Sequence, residues 1–434
     1  MRAQPVRAFG SLAVLMAGLL PAAQAAEVLC GRLLDPARGV LEGPFRLVHE
    51  QGRFTVVEKV AAGEPATGTT DLRQSTCLPG FIDLHVHLAG EQGKDSYSEG
   101  FRLNPADFAI RSTVFASRTV RAGFTTVRDL GASDGVAISL RNAINQGWVQ
   151  GPRIFAAGKS IASTGGHADP RNGINQNLLQ ALGYPGPEQG VVDSVDEARK
   201  AVRSRYKEGA DVVKITATGG VLSYAKSADN PQFTIEEVEA VVATAKDYGM
   251  HVAAHAHGNE GARRAIMGGV RTIEHGSYLD ERTMRLMKEK GTVLVPTLSA
   301  GAYASDKAKI DGWFPEIIRP KAIEVGTRIK ETFGRAYKMG VPFAFGTDSG
   351  VSAHGDNARE FELMVEVGVS PLDAIRAATT SAAKVLDQQN QLGQIAPGFH
   401  ADLVAVSGDP LQDIKILKTP THVLKSGVWV RADP

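Results

Sequence analysis

The sequence predicts an α/β chain, a (β/α)8 TIM-like barrel carrying a small β-sandwich module built from both chain ends. Three observations lead there. Apolar strand-like runs alternate with helical segments from residue 78 onward, giving eight strand candidates over about 270 residues. Long connections rich in Gly, Pro and Asn follow several of these runs, notably 160–192 and 217–232, and loops of that length in a compact domain are usually lids or binding elements. Side chains able to hold a metal recur at the carboxyl ends of the strands, the face on which barrel enzymes carry their sites. A doubly wound open sheet would share the alternation, but it predicts no ring of ligands drawn from many strand ends.

Taken in order, the chain opens with Arg2 and Arg7, an apolar run over 13–20, and Ala23, Gln24 and Ala25 as a small-x-small cleavage site. These are the three parts of a secretory signal peptide, and the run is too short to span a bilayer comfortably. The expectation is that residues 1–25 are removed and that the mature chain is exported, periplasmic or secreted, with no membrane association after cleavage. An uncleaved anchor is the alternative. Residues 26–77 read as short strands, including 27–33, 45–49 and 53–60, broken by Gly and Pro; they form the N-terminal part of the β-sandwich module. Cys30 and Cys77 are the only cysteines. Their spacing leaves open both a disulfide and two buried thiols.

The barrel is expected over 78–389. Its strand candidates are 81–86, 125–130, 153–157, 211–216, 250–257, 272–275, 292–296 and 341–348, with helices at 107–121, 194–207, 234–247, 259–267, 280–290 and 320–338 between them. After a helix at 371–386, strand-like character returns at 401–406 and 422–431, so residues 390–434 should complete the β-module. Hydrophobic residues make up 43% of 434, enough for a large core, and 48 basic against 47 acidic residues leave no electrostatic footprint for nucleic acid. A small neutral or modestly charged substrate is the better partner.

The run Pro-Gly-Phe-Ile-Asp-Leu-His-Val-His at 79–87 places Asp83, His85 and His87 on one face of a buried strand. Two imidazoles converging from a strand end make half of a metal site. Other strand ends supply Lys214 in Val-Val-Lys-Ile-Thr, His255 and His257, His275 in Ile-Glu-His-Gly, and Asp348 in Phe-Gly-Thr-Asp-Ser. Together they are far more specific than any one of them, because barrel interiors are normally filled with branched apolar residues. Arg128, Asp129, His354, Asn357 and Glu360 flank the same mouth without separate roles. His49, His251, His400 and His422 lie away from it. Neither a phosphate-binding Gly-rich loop nor a Gly-x-Ser-x-Gly elbow is present.

On these residues, and on the closing Gly-Phe-His-Ala-Asp-Leu at 398–403, the chain resembles the amidohydrolase superfamily. The branch it is similar to holds bacterial prolidases, other metal-dependent carboxy-terminal dipeptidases and ochratoxin-hydrolysing amidohydrolases. The resemblance implies two divalent metal ions held by His85, His87, Lys214, His255, His275 and Asp348, with Lys214 carboxylated by CO2. A desolvated lysine loses its proton readily, and as a carbamate it is an anion able to bridge two metals; without that modification a single-metal site follows. Oxygen and nitrogen ligands without thiolate suit zinc first, then manganese or cobalt. Asp348 would be a ligand that also takes the proton from the attacking water and delivers it to the departing amine. By the same resemblance His167 and Tyr224, on the long loops, are candidates for gripping the substrate carboxylate or stabilising the oxyanion. His257 either orients substrate or supports a ligand.

The expected activity is hydrolysis of an amide joining an acyl or aminoacyl group to a carboxy-terminal amino acid, in a dipeptide, an N-acyl amino acid or an ochratoxin-like amide. Alternatives are a cyclic-amide hydrolase or deaminase of a small heterocycle, similar to imidazolonepropionase, and a non-catalytic periplasmic metal-binding protein. The family resemblance also implies a homo-oligomer.

Overall fold

The computed structural model describes residues 25–433 apart from 62 and 64–68, so the expected leader lies outside the described residues except for its last position. Among the described residues no helix is long and apolar enough to cross a membrane. The fold is mixed α/β.

The two chain ends meet as expected, though in a different form. The pairing records one eight-stranded sheet where the sequence suggested a two-layer sandwich. Thr70–Pro79 lies between Ala26–Asp35, to which it is parallel, and Leu403–Val406, to which it is antiparallel. The C-terminal strands therefore extend the N-terminal sheet edge to edge. Period-two alternation divides its side chains: Val28, Cys30, Leu403 and Ala405 form their own core, while Leu34, Leu78, Val404 and Val406 join the main one.

Cys30 and Cys77 form a disulfide between the adjacent strands, with Cα atoms 6.1 Å apart. Because it closes a loop with a sequence separation of 47, Cys30→Ser with Cys77→Ser should lower the unfolding free energy by about 2–4 kcal/mol, measured as a shift in urea midpoint. The single strand expected over 422–431 is instead a hairpin, His422–Lys425 and Val428–Ala432. Ser426 and Gly427 both take positive φ, 49° and 76°, as a tight two-residue hairpin turn requires.

Seven of the eight strands expected from residue 78 onward are regular and parallel. Phe81–Val86, Phe124–Asp129 and Arg153–Ala156 form a three-stranded sheet; Val213–Thr216, Val252–Ala256, Thr272–His275 and Val293–Val295 form a four-stranded one. Most of their residues are buried, which is why they read as continuous apolar runs. The eighth, 341–348, is not a regular strand. Pro342 has no N–H to give a ladder, and Asp348 takes a φ of 57°. The segment still bonds on both sides: Leu294 N to Pro342 O at 2.8 Å and Ala344 N to Leu294 O at 2.9 Å on one, Leu84 N to Phe345 O at 3.0 Å and Asp348 N to His85 O at 2.7 Å on the other. Across the remaining gap, Ile161 N donates to Lys214 O at 2.8 Å and Thr216 N to Ile161 O at 2.9 Å.

The helices form where caps and apolar faces coincide. Ser194, Thr234 and Asp280 each accept a backbone N–H of the first turn that follows, from Glu197, Glu237 and Thr283. The helix expected over 371–386 runs without interruption from Pro371 to Val385, but Ala377–Ser381 widen into a π-helical turn between Pro371–Arg376 and Ala382–Val385. Four helices of seven or more residues were not anticipated: Val136–Asn145, Gln176–Leu182 inside the long 160–192 connection, Leu298–Ala308 and Arg359–Glu366.

Candidate active site

Two groups of side chains able to hold a metal converge at the carboxyl ends of the parallel strands. In the first, Nε2 of His85 and of His87 lie 3.6 and 3.2 Å from Asp348 Oδ1. In the second, the rings of His255, His257 and His275 stand 4.6–4.8 Å apart, centroid to centroid. Within each group the potential ligand atoms all fall within 4.8 Å of one another. His85 joins the groups: its ring is 5.1 Å from that of His275, and Lys214 Nζ is 3.3 Å from its Nε2. All these residues line one cavity of about 760 Å³.

Each imidazole is held by one nitrogen, leaving the other for the shared space. His85 Nδ1 meets Glu274 Oε2 at 2.9 Å, His87 Nδ1 meets Gly131 O at 2.9 Å, and His255 Nε2 meets Gly219 O at 3.0 Å. His257 Nδ1 and His275 Nδ1 pair with the hydroxyls of Ser277 and Thr297 at 2.8 and 2.7 Å. Contacts of this kind fix the tautomer and ring angle of a metal-ligating histidine.

Glu274 is the support that sequence reasoning missed. It is fully buried, pairs with Arg128 Nη2 at 2.9 Å and also accepts the Thr272 hydroxyl. The signal was present, since Glu274 and Thr272 are polar residues two apart within an otherwise apolar strand. Arg128 is tied further to Leu84 O at 2.7 Å and meets His251 Nε2 at 3.1 Å. Asp83 stands behind His85, accepting from Thr347 Oγ1 at 2.6 Å, Asn357 Nδ2 at 2.8 Å and His85 N at 3.1 Å. Asp129 holds the Leu88 and Gly131 amides, and Glu360 holds those of Leu298 and Ser299. His354 stacks on Phe115 and meets Gly90 O.

Backbone and charge are both unusual here. His275, Thr297 and Asp348 adopt φ of 73°, 53° and 57°, a region that costs non-glycine residues on the order of 1–3 kcal/mol each and recurs at active sites. Burial holds His85, His255 and His275 well below the ordinary imidazole range, and brings His167 to about 4 and His257 to about 3. These rings are neutral near pH 7, the form that binds a metal. Burial likewise lowers Lys214 to about 8, against the opposing pull of Glu274 and Asp348. For Asp348 burial works against ionisation, but the neighbouring imidazoles outweigh it and its carboxyl sits below the ordinary range.

The donor set fits a divalent cation. Asp348 Oδ1 is buried and accepts no hydrogen bond, although it faces two imidazoles. A buried carboxylate oxygen without a donor is costly unless a cation sits against it. The chain matches the Amidohydrolase family over residues 76–430. It belongs to the amidohydrolase family.

Membership makes it a hydrolase of amide or peptide bonds, and its relatives place it in the prolidase and ochratoxinase branch. A solved Xaa-Pro dipeptidase with methionine bound in its active site is 49% identical, with a TM-score of 0.89 over 94% of this chain and 99% of that one. A prolidase solved with N-methylphosphonate-L-proline is 34% identical, with a TM-score of 0.84 over 94% and 100%. Ochratoxinase of Aspergillus niger is 34% identical over 370 residues, 82% of this chain and 75% of that one.

Of the loop residues singled out in this amidohydrolase, one reaches the cavity. His167 stacks on His255 at 4.3 Å, with its Nδ1 buried and unpartnered. Gly220 permits this approach, since a Cβ there would fall 2.0 Å from that nitrogen. Tyr224 is not among the residues that line the cavity; it is 48% exposed, with its ring edge-on to Tyr97. His49, His400 and His422 stay with the chain-end sheet.

Proposed function

We propose that this amidohydrolase holds two divalent cations, zinc by ligand type, and cleaves an amide bond to a carboxy-terminal amino acid. The observation that carries the reading is the convergence of two ligand groups on one cavity, joined through His85 and Lys214, with Asp348 presenting an unpartnered oxygen. His85, His87, Lys214, His255, His275 and Asp348 would hold the ions, which when bound would activate water and polarise the scissile carbonyl. Lys214, brought to about 8 by burial, has a larger neutral fraction than a free lysine. Its Nζ lone pair can therefore add to CO2 and, by losing a proton, become the carbamate that completes the ligand set. The Asp348 carboxylate takes a proton from the attacking water as the oxygen adds to the carbonyl carbon. The same proton goes to the amide nitrogen as the C–N bond breaks, releasing a free amine. His167 and His257 line the cavity beside this centre, where they can orient the acyl group or the departing amino acid.

The likeness to a Xaa-Pro dipeptidase and to ochratoxinase supports a dipeptide, N-acyl amino acid or ochratoxin-like amide as the substrate class. The bonds that link the two parallel sheets through 341–348 and Ile161 support closure into a (β/α)8 barrel over 78–389, with 26–77 and 390–434 as the flanking module. The same proposal keeps an exported mature chain that assembles as a homo-oligomer. The test is a screen of N-acyl amino acids and dipeptides, Xaa-Pro and phenylalanine amides included, with metal content measured on the same sample. A free amino acid as product is expected. A ring-opened product from a cyclic amide, ammonia, or bound metal without any turnover would each overturn the reading.

A further inference from the structure

Lys321 is a buried lysine with no acidic partner among the described residues. It stands in the first turn of the helix Arg319–Lys338 at 9% exposure, and its ammonium donates to three backbone carbonyls: Gly220 at 3.1 Å, Ser223 at 2.8 Å and Ala225 at 2.7 Å. An ammonium has three protons, and here all three go to one short stretch of chain. Burial alone lowers its pKa, with no charged neighbour contributing. A desolvated charge satisfied only by carbonyls is an expensive way to end a side chain that could reach water.

The stretch it holds is part of the cavity wall. Val221 and Leu222 line the cavity, and Gly220 lies against the His167 ring. Residues on either side are anchored separately: Gly219 N donates to Asn230 O at 3.0 Å and Gln232 N to Ala217 O at 2.9 Å. Between them, Ser223 Oγ to Gly220 O and Ala225 N to Ser223 O are bonds within the stretch itself. Among the described residues its hydrogen bonds to other elements come from Lys321 and from the Tyr97 hydroxyl, which donates to Leu222 O at 2.8 Å, while Val221 packs in one apolar cluster with Ala304, Ile318, Ala322 and Val325. Val325 and Ile329, four and eight residues along the helix from Lys321, also line the cavity, so one helix face carries both the clasp and a further part of the wall.

We propose that Lys321 is a positioning residue whose ammonium clasps residues 220–225 against this helix and so sets the cavity wall that selects the substrate. The clasp does not hold His85, Lys214 or Asp348, which stand on other elements, and the Gly219 carbonyl that meets His255 is anchored separately through Gly219 N to Asn230 O. Loss of the clasp therefore weakens substrate binding more than turnover. Only this kinetic consequence rests on the proposed function.

The test uses Lys321→Met, which keeps length and removes the charge, and Lys321→Arg, whose planar fork cannot converge on three carbonyls. Both are compared with wild type in KM and kcat, and in the rate at which trypsin cuts after the exposed Lys226. In Lys321→Met, KM should rise on the order of tenfold with kcat within about threefold, and cutting at Lys226 should accelerate on the order of tenfold as the open form becomes more populated. Lys321→Arg should shift both in the same direction, and it carries the test if the methionine variant does not fold. Unchanged KM and unchanged cutting in the variants that fold would overturn the proposal. So would a matched loss of kcat and thermal stability with KM unmoved, which is the signature of a merely structural lysine. Proteolysis needs no substrate, so a protein that hydrolyses no amide would count against the proposed function while the cutting rates still decide the clasp.

Discussion

Asp348→Asn lowers kcat by roughly 10³–10⁴-fold, the upper part of the range for loss of a positioned acid or base, while the protein stays folded. The size follows from what the carboxylate is asked to do. In the proposed function it holds the proton between the attacking water and the departing amine, and the pull of His85 and His87 outweighs its burial and keeps it ionised. Asparagine matches its shape and leaves an oxygen for a cation, but it cannot accept the proton near neutral pH. Its φ of 57° is one that asparagine tolerates better than most residues, so the backbone turn should survive. Turnover, metal stoichiometry and thermal unfolding are measured together. A variant with full metal content and an unchanged rate would remove Asp348 from the proton transfer, and a variant that unfolds would show that the charge holds the turn.

Lys214→Met should cost a comparable amount, because in the proposed function it removes one of the metal ligands. Lys214 Nζ is 3.3 Å from His85 Nε2 and 3% exposed, and methionine fills the same space without a donor. If a carbamate on this lysine bridges two cations, the variant binds at most one, and kcat/KM falls by at least about 10³-fold on losing the electrostatic stabilisation that the metal pair provides. Lys214→Glu restores an anion on a shorter stem and should recover part of the metal content. Measured metal per chain separates the outcomes: two ions in Lys214→Met with activity intact would mean that the lysine is no ligand. Equal losses in the methionine and glutamate variants would point to packing rather than charge.

Most of the regular strands and the principal helices were legible because their apolar periodicity is local. Phe81–Val86 and Thr272–His275 lie where the apolar runs put them. The misses share a cause. Leu298–Ala308 is rich in Ala, Ser and Gly, which marks no apolar stripe, and its amino end is fixed by Glu360, 62 residues away from Leu298. The 341–348 segment reads as a strand, but Pro342 and the positive φ of Asp348 leave it tied by scattered bonds. The strand expected over 422–431 folds back at Ser426 and Gly427, a turn that a strand-like run of flanking residues conceals.

The candidate site divides the same way. The sequence by itself determined which chemistry the chain can carry: His85 and His87 share a face because a strand alternates, and the other metal-competent residues end apolar runs that must be buried. Only the tertiary structure decided which of them meet, and what stands behind them. It brought His257 and His167 into the cavity, left Tyr224 out of its lining, joined Cys30 to Cys77, and set Glu274 against His85 and Lys321 against 220–225. Spacing along the chain reports faces within one element, whereas contacts between elements depend on how strands and loops far apart in sequence pack.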